Sequence, residues 1–303
     1  MLPVIVPVQA DAMASVAHLT FPTFVGAFSK EAWADAPAVP LRVVAYRRGT
    51  PVGLALALHR KDYGQGELLS LAVDRAFRRQ GIGVAILREV EGHLRAAHIA
   101  QISARFSDRL PESSAFGATV ASAGWNGPVP ERIRIMGRVG NTLEVFRDRE
   151  KLLKRALRDG LMLVPWRNFP HDAKSHILRT IAEGRAPGWS SAGLFSDNFD
   201  PDFSMVLTTG ADTIVGWVIC HFHAGVRRWS FPVGWIAKEY QRRGWLLVAY
   251  AEGARRLGEQ FGSDSIAVLE STMGLPMMWR VLEDRFAPYA QVADRILSVD
   301  KKL

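Results

Sequence analysis

The sequence predicts an α/β protein made of two tandem units, and three observations carry that prediction. Apolar runs of strand length alternate with segments of helical periodicity along the chain. The order of elements in the first half recurs in the second. The 303 residues correspond to two domains at ~100–200 residues each.

The elements follow in order. Val4 to Val8 reads as a short strand, and Asp11 to His18 as a helix start that Phe21-Pro22 breaks. Arg42 to Tyr46 and Val52 to Leu58 are apolar runs around Arg47-Arg48-Gly49-Thr50-Pro51, a hairpin signal. Glu67 to Val73 is the next strand. Arg78-Arg79-Gln80-Gly81-Ile82-Gly83 then leads into a helix with Val84, Leu87, Val90, Leu94 and Ala97 at helical spacing. Ile102 to Phe106 reads as a strand, Ala115 to Ala121 as a short helix before Gly124-Trp125, and Arg132 to Arg138 as the last strand of the half.

Asp148 to Asp159 is charged and amphipathic, a solvated connector that Gly160 can cap. The expected division is therefore 1–147, a connector over 148–160, and 161–303. In the second half, Leu161 to Val164 is a strand and His171 to Ala182 a helix. Ser204 to Thr208 and Thr213 to His221 form a hairpin across Thr209-Gly210-Ala211-Asp212. Trp229 to Ile236 is a strand, Gln241-Arg242-Arg243-Gly244 opens a helix, Ser265 to Leu269 is a strand and Met277 to Glu283 a short helix.

The halves align without a gap over their centre. Val73-Asp74-Arg75-Ala76-Phe77-Arg78-Arg79-Gln80-Gly81 matches Ile236-Ala237-Lys238-Glu239-Tyr240-Gln241-Arg242-Arg243-Gly244. Gly124-Trp125 and Arg285-Phe286 follow at nearly equal distances.

Composition narrows the function classes. A net charge of +8 favours anionic partners: nucleic acid, anionic lipid or a phosphate-bearing cofactor. The basic residues are dispersed, without zinc-finger spacing or a long basic arm, which disfavours nucleic acid. The single cysteine, Cys220, excludes an intrachain disulfide and any zinc site needing two cysteines of this chain. Met1 to Pro7 lacks the basic and apolar regions of a signal peptide, and no apolar run approaches ~18 residues. The expectation is a cytoplasmic protein with no membrane partner and no metal.

The aligned centre is suited to an anion. A helix N-terminus has unpaired amides and a partial positive charge. Gly81 and Gly83 let a phosphate approach that backbone, and Arg78 and Arg79 add charge-assisted contacts. The third glycine of a dinucleotide fingerprint and the Gly-Lys-Ser/Thr of a P-loop are both missing.

Arg78-Arg79-Gln80-Gly81-Ile82-Gly83 resembles the cofactor signature of the GNAT superfamily of acyl-CoA-dependent N-acetyltransferases: Gln or Arg, two residues, Gly, one residue, Gly or Ala. Leu69 to Val73 is similar to that family's splayed fourth strand, and Gly124-Trp125 to its late Gly-aromatic element. The resemblance covers most of residues 1–140. It implies, in each unit, a mixed, mostly antiparallel sheet flanked by helices, with acetyl-CoA or another acyl-CoA as donor and an amine of a small molecule or peptide as acceptor. Leu71, Ala72 and Val73 would polarise the thioester, and Arg78, Arg79, Gln80, Gly81, Ile82 and Gly83 would hold the diphosphate.

The resemblance is less complete in the second half. Ile236, Gln241, Arg242, Arg243 and Gly244 form a possible second cofactor site, but Leu246 replaces the last small residue and would crowd the phosphate.

For catalysis, Glu67 is the candidate base, with Ser230 at the aligned position. The family's Tyr acid is replaced by Val120 and Val281, leaving water, Ser113 or Ser114 to return the proton. His221 and His223 sit two apart on a strand and would share a face, as a base or an acceptor-binding pair. His59 would lie just past its strand, beside an acceptor cleft, and Trp217 and Trp235 would be core. Two other readings stay open: a GNAT-like protein that binds CoA or a protein partner without catalysis, and a nucleic-acid-binding regulator.

Overall fold

The computed structural model describes residues 3–29, 38–60, 64–169, 172–194, 196–210 and 213–303. His171, Ala211 and Asp212, part of the expected second-half helix and hairpin, lie outside them. The chain divides into two compact units, Met1–Glu131 with Arg295–Leu303, and Arg132–Asp294.

The first unit contains β1 (Val4–Pro7), α1 (Pro22–Phe28), β2 (Val39–Arg47), β3 (Thr50–Arg60), β4 (Gln65–Val73), α2 (Ile82–Ala96), β5 (Gln101–Ser107), α3 (Ser113–Ser122) and the start of β6 (Asn126–Arg138). Its sheet runs β1-β2-β3-β4-β5 and ends on β12 (Val292–Lys302), the last strand of the chain. All pairs are antiparallel except β4 with β5. Pro22 opens α1 instead of breaking a helix: its missing N–H falls where no intrahelical bond is due. The residues before it form two 3-10 turns, Ala10–Ala14 and Ala17–Leu19, not the expected α-helix.

β3 is covered on both sides, which explains its unbroken apolar run. Val52, Ala55 and Ala57 join the core under α2, while Leu54 and Leu56 join a second core with Met13, Val16 and Phe28. Helix α2 contributes Ile82, Ile86, Leu87, Val90 and Leu94, all buried, at roughly 1.5–3 kcal/mol each. At Gly53 of β3 a Cβ would lie 2.7 Å from Ile86 Cδ1, so a side chain there would force Ile86 to shift.

The second unit holds the rest of β6, α4 (Val139–Val145), α5 (Arg149–Arg158), β7 (Leu161–Pro165), α6 (Ala173–Ala182), β8 (Met205–Thr209), β9 (Thr213–His223), β10 (Arg228–Ile236), α7 (Trp245–Phe261), β11 (Ile266–Thr272) and α8 (Pro276–Val281). Its strand order is β6-β11-β10-β9-β8-β7, antiparallel throughout except β10 with β11. Two departures from expectation concern this order. Residues 132–138, read as the last strand of the first half, pair with β11 of the second unit. The place they would have filled in the first unit goes to β12.

Helix α5 is docked, not merely solvated. Ala156 is buried, and Leu152 and Leu153 pack on the core under α7. Trp217 and Trp235 are core on the other face, with ring centroids 4.3 Å apart and Trp217 Nε1 donating to the Ser190 carbonyl.

Candidate functional site

Strands β4 and β5 begin together and then part. Their parallel pairing runs from Gln65–Gln101 to Leu68–Ala104 and stops, although β4 continues to Val73. The interruption coincides with a bulge, because Leu69 is skipped in the register with β3. Among the described residues, the β5-facing edge of β4 from Leu69 to Val73 therefore has no strand partner. Backbone groups left open in this way are available to a ligand.

The loop after β4 is shaped by local bonds. Asp74 accepts from the amide of Ala76 and caps the turn Arg75–Phe77. Arg78 Nε donates to the Val73 carbonyl at 3.0 Å, and its Nη1 meets Glu112 Oε1 at 2.8 Å. Gln80 accepts from Arg47, whose guanidinium lies over Phe77. Arg79 and Gly81 both take left-handed backbone, φ 62° and 77°. Gly81 suits that conformation, and a Cβ on it would meet none of the described atoms within 4 Å. The first bond of α2 runs from Ala85 N–H to the Gly81 carbonyl, so the amides of Ile82, Gly83 and Val84 precede the helical ladder.

Gly83 differs from expectation. Its missing side chain faces Thr119 Cγ2 of α3 at 3.0 Å, so helix packing accounts for this glycine.

The second unit repeats the arrangement. Parallel pairing of β10 with β11 ends at Phe231–Leu269, next to a bulge between Ser230 and Val233. Gln241 Nε2 donates to the Ile236 carbonyl, as Arg78 does to Val73. Arg242 and Gly244 are left-handed at φ 64° and 80°, matching Arg79 and Gly81. Here Arg243 is stacked on Tyr240 and Trp245, whose rings stack on each other at 5.0 Å. Leu246, expected to crowd a phosphate, is half-buried and packs against the core under α7.

The expected site residues divide accordingly. Leu71 to Val73 and Arg78 to Gly83 come together at the end of β4 and the start of α2. Glu67 lies on the same strand just before the pairing stops, ion-paired with Arg105, which also holds Glu131 at 2.8 Å. Ser113 Oγ donates to the Asp108 carbonyl and starts α3, next to the Glu112 that pairs with Arg78. His221 belongs to the second unit. Its Nε2 lies 2.9 Å from the Gly193 carbonyl, which can only accept, so Nε2 carries the proton. His223 Nε2 lies 2.8 Å from Ser230 Oγ. Burial first, then His221 and Arg228, hold the His223 imidazole below the usual histidine range. Cys220 is fully buried, and that burial pushes its thiol up. Val120 is buried in the first core, and His59 is buried on β3.

Sequence reasoning missed Glu91 and Lys301. The carboxylate of Glu91 is 2% exposed and accepts from Trp125 Nε1 at 2.8 Å and Lys301 Nζ at 2.7 Å. Lys301 also donates to the Ala123 carbonyl, tying β12 to the Gly124-Trp125 turn. Among the described residues, no cluster of three or more His, Cys, Asp or Glu is placed to hold a metal ion, and no helix is long and apolar enough to cross a membrane.

Comparison with known proteins bears on the fold. Residues 12–109 match the model of the acetyltransferase (GNAT) family. No curated protein matches the chain. A tandem GNAT protein of the clavulanic acid biosynthesis pathway superposes with a TM-score of 0.56 at 14% identity, covering 99% of this chain and 98% of that one. A GCN5-related N-acetyltransferase from Sphaerobacter thermophilus gives 0.62 at 15% identity, covering 99% and 95%. A GCN5-related glucosamine N-acetyltransferase region of a fungal multi-domain β-N-acetylglucosaminidase gives 0.65 at 14%, covering 98% of this chain and 38% of that longer one. At such identities the likeness is one of fold. Residues 12–109 thus match the GNAT acetyltransferase family, and over its length the chain is similar in fold to a tandem GNAT protein.

Proposed function

We propose that the first unit binds acyl-CoA and transfers its acyl group to an amine of a small molecule or peptide. One observation carries the reading: a left-handed, unobstructed Gly81 beside the first amides of α2, next to an unpaired strand edge at Leu69–Val73. Bound acyl-CoA supplies a thioester carbonyl open to attack by an amine. The amides from Gly81 to Val84 bind the diphosphate, with Arg79 adding charge. The open edge of β4 at Leu71 to Val73 orients and polarises the thioester carbonyl. Glu67 accepts the amine proton, and Ser113 or water returns one to the leaving sulfur.

A second reading, CoA binding without transfer, is favoured by two contacts: Glu67 is held by Arg105, and Ser113 Oγ is engaged with Asp108. Calorimetry with acetyl-CoA and thiol-release assays with an amine panel separate the two. Loss of one acetyl-CoA site on Gly81→Trp, with a matching fall in amine-dependent release, supports transfer in the first unit. Affinity without release supports the second reading, and no affinity overturns both.

A further inference from the structure

The two units carry different chemistry at one equivalent position. Glu67 is the residue immediately before Leu68, where β4 leaves β5. Ser230 is the residue immediately before Phe231, where β10 leaves β11. Glu67 lies opposite Leu58 on β3, and Ser230 opposite His221 on β9. Each is followed by a bulge, an unpaired strand edge among the described residues, and a loop with two left-handed residues at matching places. Leu246 is half-buried against the core, and a Cβ on Gly244 would meet none of the described atoms within 4 Å.

Where the first unit has a carboxylate, the second has a serine with a histidine behind it. Two strand positions from His221, His223 places Nε2 2.8 Å from Ser230 Oγ, and the two imidazole centroids are 6.1 Å apart. We propose that the second unit is a second acyl-transfer centre, in which His223 acts through Ser230 as the proton acceptor for an amine. This rests on the reading of the fold as an acyl-CoA user, and it adds a second centre with its own base.

The surroundings suit that role. The charged and titratable groups facing His223 are His221 on its own strand and Arg228 on β10. Both oppose a positive imidazole, and burial does so more strongly, which favours the neutral ring. His223 forms no ion pair among the described residues, whereas Glu67 is tied to Arg105. His221 is excluded as the acceptor at Nε2, because that nitrogen donates to Gly193.

The step balances without a further reactant. The amine nitrogen attacks the thioester carbonyl carbon, forming C–N and breaking C–S. The amine proton passes to Ser230 Oγ while the serine proton moves to His223 Nε2. The imidazolium then protonates the thiolate that leaves, so amide and thiol are the products.

The test measures thiol release from acetyl-CoA with spermidine, glucosamine and an alanyl peptide. It uses the full chain, Gly81→Trp, and Gly81→Trp combined with His223→Gln, Ser230→Ala or both Ser230→Glu and His223→Gln. Arg79→Glu repeats the first-unit lesion without altering a glycine. The expected result is release that survives Gly81→Trp and rises with pH through an apparent pKa below ~6.5, the ordinary histidine value. His223→Gln then lowers it by about a hundredfold or more. Ser230→Glu with His223→Gln restores release, with the rising limb moved to the carboxylate range. Release abolished by Gly81→Trp and by Arg79→Glu, and unchanged by His223→Gln alone, overturns this inference and leaves the first-unit reading intact. Acetyl-CoA affinity without release from any amine overturns transfer in both units.

Discussion

Lys301→Met removes the ammonium that faces Glu91, and its cost can be worked from the surroundings. The Glu91 carboxylate is almost fully buried, and Lys301 is the nearest cation, at 2.7 Å. What remains after substitution is Trp125 Nε1 at 2.8 Å and Arg95 at 3.3 Å, the latter half exposed. Breaking one side of a buried pair costs about 3–5 kcal/mol, because a charge is left without compensation. Residual help from Arg95 places the expectation at the lower end, about 3 kcal/mol. Loss of the Lys301 bond to the Ala123 carbonyl acts in the same direction. In a unit of this size that corresponds to a fall of roughly 10 °C in midpoint. Native-state hydrogen exchange is the suitable assay, because it reads the units separately. Amides of β4, β5 and α2 should lose about 3 kcal/mol of protection while those of β8 and β9 keep theirs. The double variant Glu91→Gln with Lys301→Met should recover much of the loss, since no buried charge remains. A change under about 1 kcal/mol, or equal losses in both units, would refute the assignment of β12 as a tied strand of the first unit.

Two further outcomes follow from the second unit. Gly193→Ala should destabilise it by roughly 2–4 kcal/mol in urea unfolding, because φ is +77° and the new Cβ would lie within 2.6 Å of His221 Nε2. Cys220 should resist an aromatic disulfide reagent at pH 8 in the native protein and react fully in denaturant, since burial, with a smaller effect from Asp200, holds the thiol protonated.

The sequence exposes some of this architecture and hides the rest for physical reasons. Helix α2 is legible because Leu87, Val90 and Leu94 repeat at helical spacing and face one core. The loop before it is legible because its chemistry is local: Arg78, Gly81 and the helix start lie within a few residues of one another. Strand β12 is not legible. Its Asp294, Asp300 and Lys301 break the apolar alternation, and two of these are accommodated by distant partners: Asp294 by Arg134, Lys301 by Glu91. Helix α4 is short and carries Gly140 and Asn141, so its pattern is weak. The His223–Ser230 pair depends on the register of β9 against β10, which composition and spacing do not fix. The half-burial of Leu246 against the core also depends on tertiary packing.

Acyl-CoA is expected between the end of β4 and the start of α2, and a co-crystal structure with acetyl-CoA would locate it. Diphosphate oxygens should lie within hydrogen-bond distance of the amides of residues 81–84, with a thioester carbonyl facing the backbone of Leu71 to Val73. Electron density for the ligand elsewhere in the first unit, or none there at saturating ligand, would contradict this placement.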